Sequence, residues 1–315
     1  MEFRSVGRSG LQVSLAGLGC NNFGGRIDED ASRAVVAAAL DAGITLFDTA
    51  DVYGGSLSEE YLGRALGSHR DDVVVATKFA MPMGEGPYSA GGSRRYVMRA
   101  VEASLRRLGT DYIDLYQMHA PDPTTPVEET LAALTDLVHD GKVRYLGSSN
   151  FGGWQIADAE WTSRTRGFDR FVSAQNEWSL LRRNVEREVV PASERFGVSL
   201  LPYFPLAGGA LTGKYRRGEP APAGTRHAGD RGARWLTEAN FSRIEALSSF
   251  ATEHGHTVGE LALAWLSSQR VVCSVIAGAT RPEQVRDNVA AVEWRLTRDE
   301  RRSVDAVLAA AVVKE

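Results

Sequence analysis

"VVVATKFAMPMGEGPYSAGGSRRYVMRAVEASLRRLGTDYIDLYQMH", residues 73–119, contains one complete unit of the fold. Its first six residues form an apolar, β-branched run that reads as a buried strand. A loop rich in Gly, Pro and polar residues follows at 80–93. From Ser93 to Leu108 the apolar positions recur at helical spacing, and the pattern stops before Gly109, a C-terminal helix signal. A second strand-like run then spans 113–119.

The same alternation extends in both directions. Strand-like runs occupy 15–19, 44–48, 143–149, 171–176, 198–203 and 271–278, and helical patterns at 28–40 and 126–139 end before Gly43 and Gly141. A short hairpin (2–6 and 11–14, turning at Arg8-Ser9-Gly10) precedes them. Eight strands, each followed by helix, with no linker-like break in composition, predict a (β/α)8 barrel over 1–315 as one domain. A doubly wound sheet fits less well because no dinucleotide fingerprint is present. Two helical patterns between the seventh and eighth strands, 239–254 and 257–269, depart from strict alternation. The loops 80–93 and 205–236 have the length of lids or binding loops and are expected at the C-terminal face.

Composition narrows the function classes. The 315 residues are 43% hydrophobic and 24% charged, with a net charge of −4, so there is no basic footprint for nucleic acid. No run reaches the ~18 apolar residues of a membrane span, and the opening MEFRSVGRSG lacks the apolar core of a secretion signal. Cys20 and Cys273 sit far apart in no metal-type spacing, so a reduced, cytoplasmic protein without a disulfide framework or metal is expected. Only four residues are lysines: Lys78, Lys142, Lys214 and Lys314.

Four polar residues interrupt or follow the apolar strands. Asp48 ends the second strand, Lys78 the third and His119 the fourth, while Tyr53 lies in the loop after the second. In a barrel of this class strand C-termini converge on the active site. Taken singly, an aspartate after a strand is more often a turn residue, and a histidine there is more often structural. A lysine closing VVVAT is harder to explain away, because burying it unpaired is costly. Together the four make an acid catalyst for a carbonyl oxygen. Tyr53 donates the proton, the Lys78 ammonium lowers the tyrosine's pKa, and Asp48 holds the ammonium. His119 supplies a hydrogen bond where charge develops.

Later strand ends carry a second set. Ser148, Ser149 and Asn150 follow the fifth strand, and Gln175 and Asn176 the sixth. Their hydroxyls and amides match a carboxamide's donors and acceptors, although Ser and Asn also serve simply to cap loops. "GGALTGK" (208–214) nearly completes a P-loop, but Tyr215 stands where Ser or Thr must bind magnesium, which argues against a nucleotide triphosphatase. Its glycine-rich backbone still suits a pyrophosphate. After the eighth strand, Thr280 with Glu283 reads as a capping box and Pro282 as a first-turn proline, so a helix N-terminus suited to phosphate opens there.

The motifs "GLGCNNFGG" (17–25), "DTADVYG" (48–54), "ATKF", "YQMHAPD", "GSSN" (147–150) and "YFPLAGGALTGKY" (203–215) occur in the order of the aldo-keto reductases, which the sequence resembles over nearly its whole length. The resemblance departs at Asn21-Asn22, where relatives often carry an aromatic residue at the first position. It implies reduction of a small-molecule carbonyl by hydride from NADPH, with Asp48, Tyr53, Lys78 and His119 as catalytic tetrad. It further implies that Ser148, Ser149, Asn150 and Gln175 lie at the carboxamide and that Tyr203 stacks on the nicotinamide. Pro205, Leu206, Gly208, Gly213 and Lys214 fall in its pyrophosphate segment, and Gly278, Thr280, Arg281, Gln284 and Asn288 in its adenosine-phosphate segment. Two rival readings stand beside it: a Schiff-base aldolase using Lys78, and a cofactor-binding regulatory subunit of the channel β-subunit type. Metal hydrolysis is poorer, since His119 with Asp122 is too sparse a ligand set.

Overall fold

The computed structural model describes residues 1–223, 225, 227 and 234–312. Parts of the 205–236 loop (224, 226 and 228–233) and Lys314 lie outside the described residues. The predicted hairpin forms from β1 (Phe3–Ser5) and β2 (Gln12–Ser14), paired antiparallel. Eight parallel strands follow: β3 (Ala16–Gly19), β4 (Leu46–Asp48), β5 (Val74–Phe79), β6 (Ile113–Met118), β7 (Val143–Ser149), β8 (Phe171–Gln175), β9 (Ser199–Leu200) and β10 (Val275–Gly278). Their order in the sheet is β10-β3-β4-β5-β6-β7-β8-β9. The ring closes between β9 and the run leading to β10. There Leu200 N–H donates to Val271 O (2.8 Å) and Cys273 N–H to Leu200 O (3.2 Å), through a parallel bridge of Leu200 with Val272. The (β/α)8 barrel read from the sequence is the fold.

The helices α1 (Glu29–Asp41), α2 (Leu57–Leu66), α3 (Arg94–Leu108), α4 (Val127–His139), α5 (Gly153–Arg166) and α6 (Val189–Phe196) alternate with the strands. Local chemistry sets their ends. Asp28 accepts from Ala31 N–H at the start of α1, Ser93 accepts from Tyr96 N–H at the start of α3, and Gly109 ends α3 in the left-handed conformation. The expected pair between the last two strands is α7 (Glu238–Glu253) and α8 (Val258–Ser267), and α9 (Pro282–Glu293) and α10 (Arg298–Val312) complete the shell. No helix among the described residues is long and apolar enough to cross a membrane.

Strand alternation divides the apolar residues into two cores. Along β5, Val75 and Phe79 pack outward into the large core beneath the helices, whereas Val74 and Ala76 point into the barrel. The barrel interior is filled by Val74, Ala76, Leu46, Leu115, Val172, Leu201 and Ile276, and is plugged from below by Val6 and Val13 of the hairpin. The upper end is left to polar side chains.

Candidate active site

Lys78 continues the inward register of Val74 and Ala76 on β5 and is fully buried. Its ammonium has three acceptors: Asp48 Oδ2 at 2.7 Å, Thr49 O at 2.8 Å and the Tyr53 hydroxyl at 3.3 Å. Asp48 is the last residue of β4, and its second oxygen accepts from Gln117 Nε2 (3.1 Å) and Gln175 Nε2 (2.8 Å). Tyr53 is carried into place by a turn directly after β4, and the His119 ring meets it edge-on at 5.7 Å between centroids. His119 follows β6 and is fixed by its N–H donating to Phe79 O (2.8 Å). The four side chains expected to converge are therefore brought together.

The electrostatics correct one expectation. Burial alone would favour a neutral Lys78, but the Asp48 carboxylate and the Tyr53 oxygen outweigh it and raise the lysine above its ordinary value. It is a fixed ammonium. Tyr53 was expected to be depressed by that ammonium, yet its pKa lies above the ordinary 10, because burial outweighs Lys78 and Asp48 opposes it. His119 is held neutral, its pKa pushed down to about 3 first by burial and then by Lys78. Its Nδ1 is buried with no hydrogen-bond partner among the described residues.

A linked chain borders the tetrad on one side. Asn150, held at φ +61°, donates through Nδ2 to His119 O (2.9 Å) and Ser149 Oγ (3.1 Å), and accepts from the Tyr203 hydroxyl (2.8 Å). Gln175 reaches the same region but spends its amide nitrogen on Asp48, a contact that sequence did not suggest. Ser148 stands one residue out of register with Ser149. Its hydroxyl turns to Ser173 O (3.4 Å), away from this group.

Beyond Tyr203 the backbone is constrained. Phe204 (φ +53°) and Ala207 (φ +50°) occupy left-handed conformations that side chains rarely adopt, and Gly208, Gly209 and Gly213 continue them. Pro205 is buried, Leu206 half-buried, and Lys214 is exposed with its ammonium 5.2 Å from the Tyr215 ring. Gly278 ends β10 beside Asn22, whose Nδ2 donates to Ala279 O (3.1 Å). The capping box expected from Thr280 and Glu283 does not form. Arg281 is the N-cap in extended geometry and makes no side-chain cap, while Gln284 Oε1 accepts from both Thr280 N–H (2.8 Å) and its hydroxyl (3.1 Å). Pro282 lies in the first turn as read and is the first helical residue, one position after the Arg281 cap, and its geometry keeps Arg281 extended and exposed, 3.8 Å from Glu283. Asn288 sits half-buried further along α9.

These features suit a dinucleotide: amide and hydroxyl groups beside the tetrad, a left-handed glycine-rich turn, and a helix N-terminus whose N–H groups lack a side-chain cap. The loop 80–93 leaves β5 directly after Lys78 and Phe79. It is tied down by Asp122, which accepts from Gly92 N–H (2.8 Å) and from the hydroxyls of Thr124 (2.6 Å) and Thr125 (2.7 Å).

Sequence reasoning passed over Asp51, in the turn between Asp48 and Tyr53. It is 1% exposed, and neither carboxyl oxygen has a hydrogen-bond partner of ordinary length among the described residues. The only signal was a second aspartate three residues after the first.

Comparison with known proteins agrees with this geometry. The model of the Aldo/keto reductase family matches residues 16–309. The chain is 39% identical to the uncharacterized oxidoreductase YrpG of Bacillus subtilis over 95% of this chain and 93% of that one. It is 37% identical to a probable voltage-gated potassium channel subunit beta of rice, Oryza sativa subsp. japonica, covering 93% of this chain and 92% of the other. It is 36% identical to the L-glyceraldehyde 3-phosphate reductase of Escherichia coli K12, over 93% and 88% of the two chains. A match along nearly the whole length, joined to a closed eight-stranded barrel, makes this chain a member of the aldo/keto reductase family.

Proposed function

We propose that the protein reduces an aldehyde or ketone to an alcohol, with Tyr53 as the proton donor and NADPH as the hydride source. The observation that carries this reading is the buried Lys78 ammonium, hydrogen-bonded at once to Asp48 (2.7 Å) and to the Tyr53 hydroxyl (3.3 Å). When Tyr53 gives up its proton, the ammonium stabilises the resulting phenolate in a site that little water reaches. The neutral His119 offers its ring to the substrate oxygen, so that the oxygen sits between imidazole and phenol. The cofactor supplies a hydride to the carbonyl carbon when bound. Ser149, Asn150 and Gln175 would hold its carboxamide, and Tyr203 its ring. The 203–214 turn (Pro205, Leu206, Gly208, Gly213, Lys214) and the start of α9 with Gly278, Thr280, Arg281, Gln284 and Asn288 would hold its phosphates. The uncapped helix N-terminus and Arg281 favour the extra phosphate of NADPH over NADH.

A Schiff-base aldolase fits poorly, because Lys78 is a charged donor with its three N–H bonds in use. The channel-subunit reading, suggested by similarity to the rice protein, predicts NADPH binding without turnover. A panel of carbonyl compounds followed at the NADPH absorbance band, with NADPH and NADH titrated separately, tests both. Tyr53→Phe is expected to lose ~10²–10⁴-fold in turnover while binding NADPH normally. Unchanged turnover in that variant removes Tyr53 as the proton donor.

A further inference from the structure

The turn that carries Tyr53 rests on a buried group of charges outside the barrel wall. Asp51 donates its N–H to Lys78 O (3.3 Å), and its carbonyl accepts from Ser56 Oγ (2.9 Å), so its backbone holds the turn against β5. Tyr53 lies two residues on, its N–H on Ala50 O (3.2 Å). The buried Asp51 carboxyl lies among groups from α2, α3, β5 and β6: Glu59, Tyr96, Arg107, Lys78 and Tyr116. From α2, the fully buried Glu59 approaches. Its two oxygens are already taken by the Thr77 hydroxyl (2.5 Å) and Arg107 Nε (2.6 Å). From α3, Tyr96 donates to Met81 O (3.2 Å) and Arg99 lies across its ring, and from β6 the Tyr116 hydroxyl is buried without a partner among the described residues. Two carboxyl groups thus face one arginine, and that arginine is engaged by Glu59.

We infer that Asp51 is a positioning residue for Tyr53: with a proton on its carboxyl the turn seats against β5, and loss of that proton unseats it. This rests on the reading of Tyr53 as the proton donor. The Val52 N–H and the Tyr96 hydroxyl lie near the Asp51 carboxyl, but neither gives it a hydrogen bond of ordinary length. A buried carboxylate so poorly satisfied is strongly disfavoured, so ionisation must draw in water or push the side chain outward. Either movement displaces a backbone that is bonded to the Lys78 strand and leads directly to Tyr53. Burial first, and Glu59 second, push Asp51 up to about 7, although Arg107, Lys78 and the Val52 N–H pull the other way. The groups around it titrate elsewhere. His119 is near 3 and Tyr203 near 12, while Lys78, Tyr53, Tyr96 and Tyr116 are raised above their ordinary values. Of these groups Asp51 alone is placed near neutrality.

Three readouts on the full chain test it between about pH 5 and pH 9. Infrared difference spectra of the native protein against Asp51→Asn should show a protonated carboxyl band that vanishes with a midpoint near 7. Over the same range the peptide containing Tyr53 should lose hydrogen-exchange protection in the native protein and not in Asp51→Asn. The kcat for carbonyl reduction should fall about 10–100-fold across it, the loss expected when a reacting group shifts by about an ångström, and that limb should be absent from Asp51→Asn. Glu59→Gln removes the neighbouring carboxylate and should lower the infrared midpoint. Its unchanged midpoint overturns the inference even if Asp51→Asn fails to fold. So does an Asp51 that is ionised at pH 6, or a pH limb that survives in Asp51→Asn. If neither protein reduces any carbonyl at any pH, the carbonyl-reductase reading fails on its own, and the infrared and exchange measurements still decide the role of Asp51.

Discussion

Lys78 and Asp48 depend on each other because neither is tolerable alone at their depth. The pair is nearly dry, at 0% and 4% side-chain exposure. Removing the ammonium leaves a buried carboxylate that Gln117 and Gln175 only partly satisfy. Lys78→Met is expected to lose about 3–5 kcal/mol of stability at neutral pH. Asp48→Asn should lose less, and the double variant should recover part of the loss. Urea denaturation of the four proteins measures the coupling, and purely additive losses would mean that the pair does not act as a unit. Asp51 behaves in the opposite sense. Its folded pKa of about 7 stands above the unfolded 3.8, so between these values the native chain binds more protons than the unfolded one. Stability from this group is complete below about pH 4, declines as pH rises, and is lost above 7. Asp51→Asn should therefore be the more stable protein above pH 7, by roughly 4 kcal/mol if its packing is kept. Thermal unfolding at pH 5 and pH 8.5 checks the sign: a variant less stable at both values contradicts a buried, proton-carrying Asp51.

At the scale of elements, α2 shows how backbone packing serves the site. Gly63 lets α2 approach α3 so closely that a Cβ would stand 2.2 Å from Leu108 O. That contact is with backbone and cannot yield by a rotamer change. Gly63→Ala is expected to lose about 1–3 kcal/mol by forcing the helices apart, and to disturb Glu59 one turn earlier on α2. A melting temperature equal to that of the native protein would show that the helices can slide. The elements most legible in the sequence were those with a single period along their length. β7 was read to the residue, and α1 and α3 were fixed by Asp28, Ser93 and Gly109. β9 was read as six residues and forms a ladder of two, because Pro202 has no N–H to give and the chain turns left-handed at Phe204. The start of α9 was misread because Gln284, one position after the expected Glu283, reaches back to Thr280. Capping by sequence pattern cannot distinguish i+3 from i+4 partners. The convergence of Asp48, Tyr53, Lys78 and His119 was legible because strand ends in a barrel share one face. Asp51 was not, because its meaning lies in what fails to contact it.

The whole molecule separates stability from chemistry along the barrel axis. At the lower end, the hairpin crosses the strand starts. Gly7 N–H donates to Ser199 Oγ (2.8 Å) and Ser14 N–H to Thr45 Oγ1 (3.0 Å), and Val6 and Val13 close the apolar interior. At the upper end, the same strands deliver Asp48, Lys78 and Gln175 to the mouth. Between the two lie the packed, fully buried side chains of Leu46, Ala76 and Leu115. This arrangement makes Val13 a discriminating position. Val13→Ala removes two methyl groups from a side chain with 0% exposure and leaves a cavity at the floor of the barrel. The expected loss is about 2 kcal/mol in chemical denaturation. Because the floor is opposite the strand ends, kcat and KM for the best carbonyl substrate should stay within about twofold of the native protein. A variant that keeps its stability would mean that the hairpin is not the plug. One that loses stability and turnover together would mean that the floor and the mouth are mechanically coupled, and the separation of the two faces would have to be abandoned.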